Sequence, residues 1–450
     1  MQSPKDSDLR SAADTKVLLV SDDALERLPA VLERRFPGAT AILVADENTH
    51  RAAGERAAAA LSRRGFPQAP PLILPGKPVL EAAYENVLGV RRHIERAAGG
   101  GVVVVPVAVG AGTVNDLVKL ASAESGCSYV TVPTAASVDG YAAFGASIIK
   151  DGYKQTLSCP APLAIVADLS VLRDAPLAMS ASGYGDLLGK VTAGADWIIA
   201  DAVGVEPIDP TAWDLVQSEL REWIEEPEGL SGGDPKVYAR LFRGLTMAGL
   251  AMQALRKSRP ASGTEHLFSH YWEMRHLTMD GRPVSHGFKV AVGSLVATAF
   301  MEILLERSPG CVDPEALCRK WPSRAQREAA VRAAYGVEPM TDGAVRASLA
   351  KHIARKDLVR RLEAIRLAWP SIRSRMRSQL LPYGRMRELL ERAGCPTRPE
   401  RIGLARRAAV DTLKPAQMFR DRYTVLDLAF ELGWLEDCVN EVLAQPEYLA

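Results

Sequence analysis

A chain of 450 residues, 47% hydrophobic and 24% charged, can bury a large core and is long enough for two or three domains. Its 55 Lys and Arg almost cancel its 54 Asp and Glu, so the net charge of +1 gives no reason to expect nucleic acid or an anionic membrane as a partner. Six scattered cysteines (Cys127, Cys159, Cys311, Cys318, Cys395, Cys438) with no C-x-x-C pair argue against a zinc ribbon or a disulfide framework, and a reduced cytoplasm is the expected setting.

The N-terminal "MQSPKDSDLRSAADTK" has no apolar core that would serve as a secretory signal. After it, aliphatic β-type runs alternate with helical periodicity: "KVLLV" (16–20), "TAILVA" (40–45), "PLILP" (71–75), "VVVVPVAV" (102–109), "YVTVP" (129–133) and "LAIVA" (163–167). Stretches such as "THRAAGERAAAALSRRG" lie between them, with Ala and Leu at helical spacing. From about Ala175 the strand signal stops and Ala-, Leu- and Arg-rich helices are expected, broken by Pro and Gly as in "EEPEGLSGGDP". The longest apolar run, 290–301, is closed by Lys289 and Glu302 and is too short for a bilayer, so it reads as a buried helix. The expected architecture is an α/β dinucleotide-binding domain with a parallel sheet (1–174), followed by an all-α, metal- and substrate-binding domain (175–450). Such folds place ligands beyond the C-terminal ends of their strands.

"VVVVPVAVGAGTVNDLVK" runs from a strand through Gly110 and Gly112 into a helix near Thr113. Glycines let the backbone turn tightly and approach a ligand, and the free N–H groups of a helix start favour a pyrophosphate. The motif is G-x-G-x-x-N after the fourth strand, and a plain strand-to-helix turn would use the same residues. Asp46, at the end of "ILVA", could accept hydrogen bonds from a ribose; solvation of a strand end explains it equally well.

Four of the seven histidines (His266, His270, His276, His286) fall within 21 residues. On a helix His266 and His270 share a face, with Glu265 and Glu273 nearby. This H-x-x-x-H lacks the internal Glu of a metalloprotease. A metal site also needs an anion, and "SGYGDLLGK" offers Asp186, which could equally be a carboxylate stabilised by a helix N-terminus. One Asp and two His would leave open positions on a divalent ion, as catalytic sites do.

The ordered set "VADENT", "VGAGTVNDLVK", "VPTAASVDGYAA", "SGYGDLLGK", "SGTEHLFSHYWEM", "SHG" and "RDRYTVLDLAFELG" resembles the sn-glycerol-1-phosphate dehydrogenases, particularly their bacterial branch, within the metal-dependent polyol dehydrogenase and dehydroquinate synthase-like superfamily. The likeness covers about residues 40–308 and the late motif; 1–39 and 309–419 carry few recognisable motifs. It implies Asp186, His266 and His286 as metal ligands, with zinc or nickel foremost and cobalt or iron also compatible. His270 is implied beside the metal as a proton relay. Gly110, Ala111, Gly112 and Thr113 match the pyrophosphate loop, Ala111 standing where many relatives have glycine or serine, and Asp116 and Lys119 follow on the helix. Thr134, Ser137 and Asp139 match a segment lining the nicotinamide and substrate cleft, with Asp139 a second catalytic candidate. Asp46 matches the adenosine-ribose position. His276 matches nothing.

The implied reaction is NAD(P)H-dependent interconversion of dihydroxyacetone phosphate and sn-glycerol 1-phosphate, with Asp139, Asp186, His266 and Lys190 at the substrate and Lys190 as candidate phosphate clamp. Asp46 and Glu47 disfavour a 2′-phosphate, which points to NAD over NADP. A homodimer is expected, with no nucleic-acid partner and no membrane span. A different polyol or sugar phosphate substrate is the enzymatic alternative, and a non-catalytic metal-binding regulator the other.

Overall fold

The structure is a computed structural model that describes residue 9 and residues 12–77, 79–336 and 340–449. Most of the N-terminal stretch read above for a secretory signal lies outside the described residues.

Six strands form one sheet: β1 (Val17–Ser21), β2 (Thr40–Asp46), β3 (Leu72–Leu74), β4 (Val104–Gly110), β5 (Val130–Pro133) and β8 (Ala164–Asp168). Their spatial order is β1-β8-β5-β4-β2-β3 and every pairing is parallel. All six runs expected from the sequence are therefore strands. Both faces are covered, and alternation along each strand divides the side chains between two apolar layers. Ala41, Leu43 and Ala45 of β2 enter one layer with helix α1 (Ala24–Arg35), and Ile42 and Val44 enter the other with α3 (Tyr84–Ala97) and α4 (Gly112–Glu124). Helix α2 (Glu55–Arg63) adds Ala57 and Leu61 to the first layer. The chain reverses its direction of travel across the sheet between β2 and β4, the kind of switch point where α/β sheets bind ligands.

The sequence reading missed an antiparallel hairpin, β6 (Ala146–Lys150) with β7 (Tyr153–Leu157). Asp151 (φ 55°) and Gly152 (φ 80°) make its two-residue turn, and Asp-Gly between β-type runs is the usual signal for one. The hairpin is held to the sheet layer where the Asp116 carboxylate accepts the Ser147 N–H at 3.1 Å.

By its internal contacts the chain forms two compact units, 1–187 with 214–257, and 188–213 with 258–450. These do not follow the division at 174/175 expected from the sequence. Helices α5 (Leu169–Asp174) and α6 (Leu177–Leu188) carry the chain out of the sheet, α6 ending at the boundary. After α7 (Lys190–Ala202) the segment 214–257 returns to the first unit, where α8 (Pro235–Leu255) is buried along most of its length and carries Gln253. That buried amide accepts the N–H groups of Asp14 and Thr15 at 2.8 and 3.1 Å and donates to the Ala142 carbonyl at 2.9 Å. A helical amphipathic pattern gives no sign of which layer it will join.

Among the described residues the second unit is helical apart from a ribbon of two two-residue strands, β9 (Thr278–Met279) with β10 (Arg282–Pro283). Its histidines come from α9 (Thr264–Met274) and α10 (His286–Leu305), with α11 (Arg355–Gln379) packed on α7. The apolar run at 290–301 lies inside α10, which at 20 residues is long and apolar enough to cross a membrane, yet 89% of its most apolar window is buried inside the protein. That burial is the mark of a core helix.

Candidate active site

In the first unit the ends of β4 and β5 are joined where the Thr134 N–H donates to the Gly110 carbonyl at 3.2 Å. A Cβ on Gly110 would lie 2.5 Å from the Val114 Cβ, so only glycine permits the turn into α4. Helix α4 begins at Gly112 with Ala111 as N-cap and no side-chain cap, which leaves the first N–H groups of the helix facing outward around Gly112 and Thr113. Thr134 and Ser137 are buried beside this end of the sheet.

Asp116 and Lys119, one turn further on, hold structure. Asp116 receives Ser147 and lies 3.4 Å from the Lys119 ammonium. Lys119, 1% exposed, donates to the carbonyls of Gly140, Ala143 and Gly145 at 2.9, 3.1 and 3.0 Å. This buried ammonium thereby fixes the loop that carries Ser137 and Asp139. Asp46 caps the helical turn after β2, accepting the N–H groups of Asn48 and Thr49 at 2.8 and 3.0 Å, a local role sufficient to explain it.

That same loop orients Asp186. The Asp139 N–H donates to Asp186 Oδ2 at 3.1 Å, and the Asp186 side chain is fully buried. Helix α6 reaches the loop because Gly183, one turn before Asp186, has no side chain: a Cβ there would stand 1.9 Å from the Ala136 carbonyl oxygen.

In the second unit three imidazoles face one another. Ring centroids are separated by 5.2 Å for His266 and His286, 5.8 Å for His270 and His286, and 6.2 Å for His266 and His270. Helical spacing explains the pair on α9, and His286 joins them as the first residue of α10. The two helices come close at Gly293, where a Cβ would lie 2.8 Å from the Glu265 carbonyl oxygen. His276 ends in an exposed turn after α9 with φ 52°, apart from the site.

The His266 and His286 rings are each oriented from behind. His266 Nδ1 lies 2.8 Å from Glu265 Oε1, and His286 Nδ1 lies 3.1 Å from Ser269 Oγ, so both rings turn their Nε2 atoms away from those partners. Glu265 is wholly buried and receives the Gly263 N–H at 2.6 Å and the Thr192 hydroxyl at 2.7 Å. Burial pushes its carboxyl up, but the bonds from His266, Thr192 and Gly263 outweigh burial and hold it below the usual range. Asp196, also buried, receives the N–H groups of Thr264 and Val425 at 2.6 and 2.7 Å. Burial and the Glu265 charge raise its carboxyl to about 7. These two carboxylates satisfy the start of α9, which has no side-chain cap at Gly263. Burial lowers the His270 imidazole to about 4, against the pull of Glu273 at 3.5 Å, so it is neutral at physiological pH.

A carboxylate oxygen of Asp186 and one ring nitrogen each of His266 and His286 lie within 4.8 Å of one another, a group that can hold a metal ion. Lys190 is fully buried at the first turn of α7. Sequence reading noted Glu265 as a neighbour of the histidines but gave it no role; its position directly before His266 was the available signal. Ser269, three residues on, carried none.

Residues 19–176 match the model of the iron-containing alcohol dehydrogenases. The glycerol-1-phosphate dehydrogenase [NAD(P)+] of Halalkalibacterium halodurans is 36% identical over 262 residues, covering 57% of this chain and 63% of that protein. The enzyme of the same name from Bacillus licheniformis is 35% identical over 294 residues, 65% of this chain and 72% of that protein. The matched stretch therefore spans just under two thirds of one relative and somewhat more of the other. Among solved structures, a probable glycerol dehydrogenase from Sinorhizobium meliloti 1021 superposes with a TM-score of 0.58 at 15% identity, covering 95% of this chain and 98% of that one, a likeness of fold. With the parallel sheet, the helical second part and the extent of the Bacillus match, the chain belongs to the glycerol-1-phosphate dehydrogenase family, oxidoreductases within the metal-dependent polyol dehydrogenase group.

Proposed function

We propose that this protein reduces dihydroxyacetone phosphate to sn-glycerol 1-phosphate with NAD(P)H, and catalyses the reverse reaction, using one divalent cation held by Asp186, His266 and His286. The observation that carries the proposal is the donor set. A fully buried carboxylate oriented by the Asp139 N–H, together with two imidazoles each oriented through its Nδ1, is a ligand set that suits a divalent cation. Two imidazoles and one carboxylate accept zinc, nickel, cobalt or iron. The uncapped start of α4 at Gly112 and Thr113, with Gly110 and Ala111 before it, suits a pyrophosphate. Asp46 and Glu47 at the end of β2 favour NAD over NADP by charge.

When bound, the nicotinamide supplies hydride and the cation polarises the substrate carbonyl oxygen, stabilising the negative charge that develops there. The chain's own residues do the rest. The Asp139 N–H keeps Asp186 in register, and Thr134, Ser137 and the Asp139 side chain shape the ketone's approach, which selects the face attacked and hence the chirality of the alcohol. His270, 30% exposed in its side chain, passes a proton between solvent and the substrate oxygen, with Glu273 3.5 Å from its Nδ1. The six free thiols accord with a reducing cytoplasm, and a homodimer is the expected assembly, measurable by sedimentation.

Following NAD(P)H oxidation with dihydroxyacetone phosphate, with and without chelator, tests the proposal; chiral analysis should show the sn-1 product. Oxidation with unphosphorylated dihydroxyacetone alone would assign the chain to polyols, and no oxidation with either would leave a metal-binding regulator.

A further inference from the structure

A phosphotriose brings a dianion as well as a ketone, and we infer that Arg420 is the side chain that recognises the substrate's phosphoryl group. The inference rests on the phosphotriose reading above. In dihydroxyacetone phosphate one methylene and one ester oxygen separate the carbonyl carbon from phosphorus, so a cation serving the phosphate must stand beside the histidines that face the carbonyl.

Most cations around those histidines are already committed. Lys190 is fully buried, and Lys289, 3% exposed, lies 3.3 Å from Glu273. Arg259, 1% exposed, donates to the carbonyls of Tyr423 and Asp196 at 3.0 and 2.8 Å and pairs with Glu206 at 3.2 Å. Arg422 donates to the Ser262 carbonyl and hydroxyl and to Ser258 Oγ, tying the segment just before α9. Arg420, two residues earlier in the same late motif, is different. It is exposed, and among the described residues it makes no hydrogen bond and no ion pair.

Its guanidinium is nevertheless held in place. It stacks 4.9 Å from the Phe419 ring; Phe419 stacks on Tyr335 at 6.3 Å, and Tyr335 meets Tyr271 edge-on at 5.7 Å. Tyr271 directly follows His270. The helix Leu413–Phe419 that ends at Arg420 packs on α9, and Trp272 of α9 donates to Thr412 Oγ1 at 3.0 Å at its start. The Arg420 charge also helps, after burial and Arg259, to lower Arg422 to about 10. A planar fork of donors, stacked in advance and without a hydrogen-bond partner, suits bidentate capture of a phosphate, with little ordering left to do on binding.

The test compares R420A and R420K with the intact enzyme on dihydroxyacetone phosphate and on unphosphorylated dihydroxyacetone. The ratio of kcat/KM for the phosphorylated over the unphosphorylated ketone should fall roughly 10–100-fold in R420A, mainly through KM, with Lys recovering part of it and metal content unchanged. An unchanged ratio, or equal loss on both ketones, overturns the inference. If the intact enzyme turns over no phosphotriose, the functional reading fails separately, and calorimetry with inorganic phosphate decides the role of Arg420. Phosphate binding by the intact chain that R420A loses upholds the anion site; equal binding by both, or binding by neither, overturns it.

Discussion

Glu265→Gln isolates the charge behind His266 without removing its contacts. Glu265 Oε1 faces both His266 Nδ1 at 2.8 Å and the Gly263 N–H at 2.6 Å, while Oε2 faces the Thr192 hydroxyl at 2.7 Å. A glutamine fits with its carbonyl toward His266 and Gly263 and its amide toward Thr192, whose hydroxyl can donate instead to the Gly189 carbonyl at 2.9 Å. Every buried polar atom stays bonded, so the metal-free protein should unfold at nearly the same denaturant concentration as the parent. What is lost is the anionic partner that makes His266 a stronger donor, and replacing such groups typically weakens metal binding 10–100-fold, about 1.4–2.7 kcal/mol. Competition against a chromophoric chelator measures the change directly. Unaltered metal affinity in a folded E265Q would refute the idea that this buried carboxylate tunes His266.

Gly183→Ala tests the contact that seats Asp186. Alanine would normally favour a helix by up to about 1 kcal/mol, but here its Cβ would stand 1.9 Å from the Ala136 oxygen, so helix or loop must move by about 1 Å at a cost of roughly 1–3 kcal/mol. Chemical denaturation should show the loss and metal analysis a weakened site; parental stability with full metal content would contradict it. Asp196 predicts a pH effect. Its folded-state carboxyl lies near 7, above the ordinary 3.8, so the folded chain keeps a proton that the unfolded chain releases. The stability this contributes is complete below about pH 4, is lost as pH rises toward 7 and is gone above it. The unfolding free energy of the parent relative to D196N should decline over that range; a flat difference would mean that the Thr264 and Val425 N–H groups keep Asp196 ionised throughout.

Much of the fold was legible because local pattern and tertiary fate coincide. The aliphatic runs at 40–45 and 102–109 can be buried on both faces only inside a parallel sheet covered by helices, and they became β2 and β4. The β6–β7 hairpin was legible too, through Asp151-Gly152, but its flanks "ASIIK" and "YKQTL" are half polar and were passed over. The return of 214–257 to the first unit was not legible, since it involves contacts distant in sequence, such as the Gln253 amide meeting backbone groups more than 200 residues away. Histidine crowding marked the cluster, and the motif order implied the ligands proposed above, Asp186, His266 and His286. Orientation was beyond the sequence: nothing in the spacing tells that Glu265 and Ser269 hold the outer nitrogens, that Lys119 grips three carbonyls of the Asp139 loop, or that Arg420, among many arginines of the Arg-rich second unit, is left unbonded while Arg259 and Arg422 are engaged.

Metal stoichiometry by elemental analysis bears most directly on the whole account. One divalent ion per chain is expected in the purified protein, lost together with NAD(P)H oxidation on exchanging Asp186, His266 or His286 for Ala, and kept in the His276→Ala control. A fully loaded ion that survives removal of Asp186 and of either histidine would show that these residues do not hold the cation.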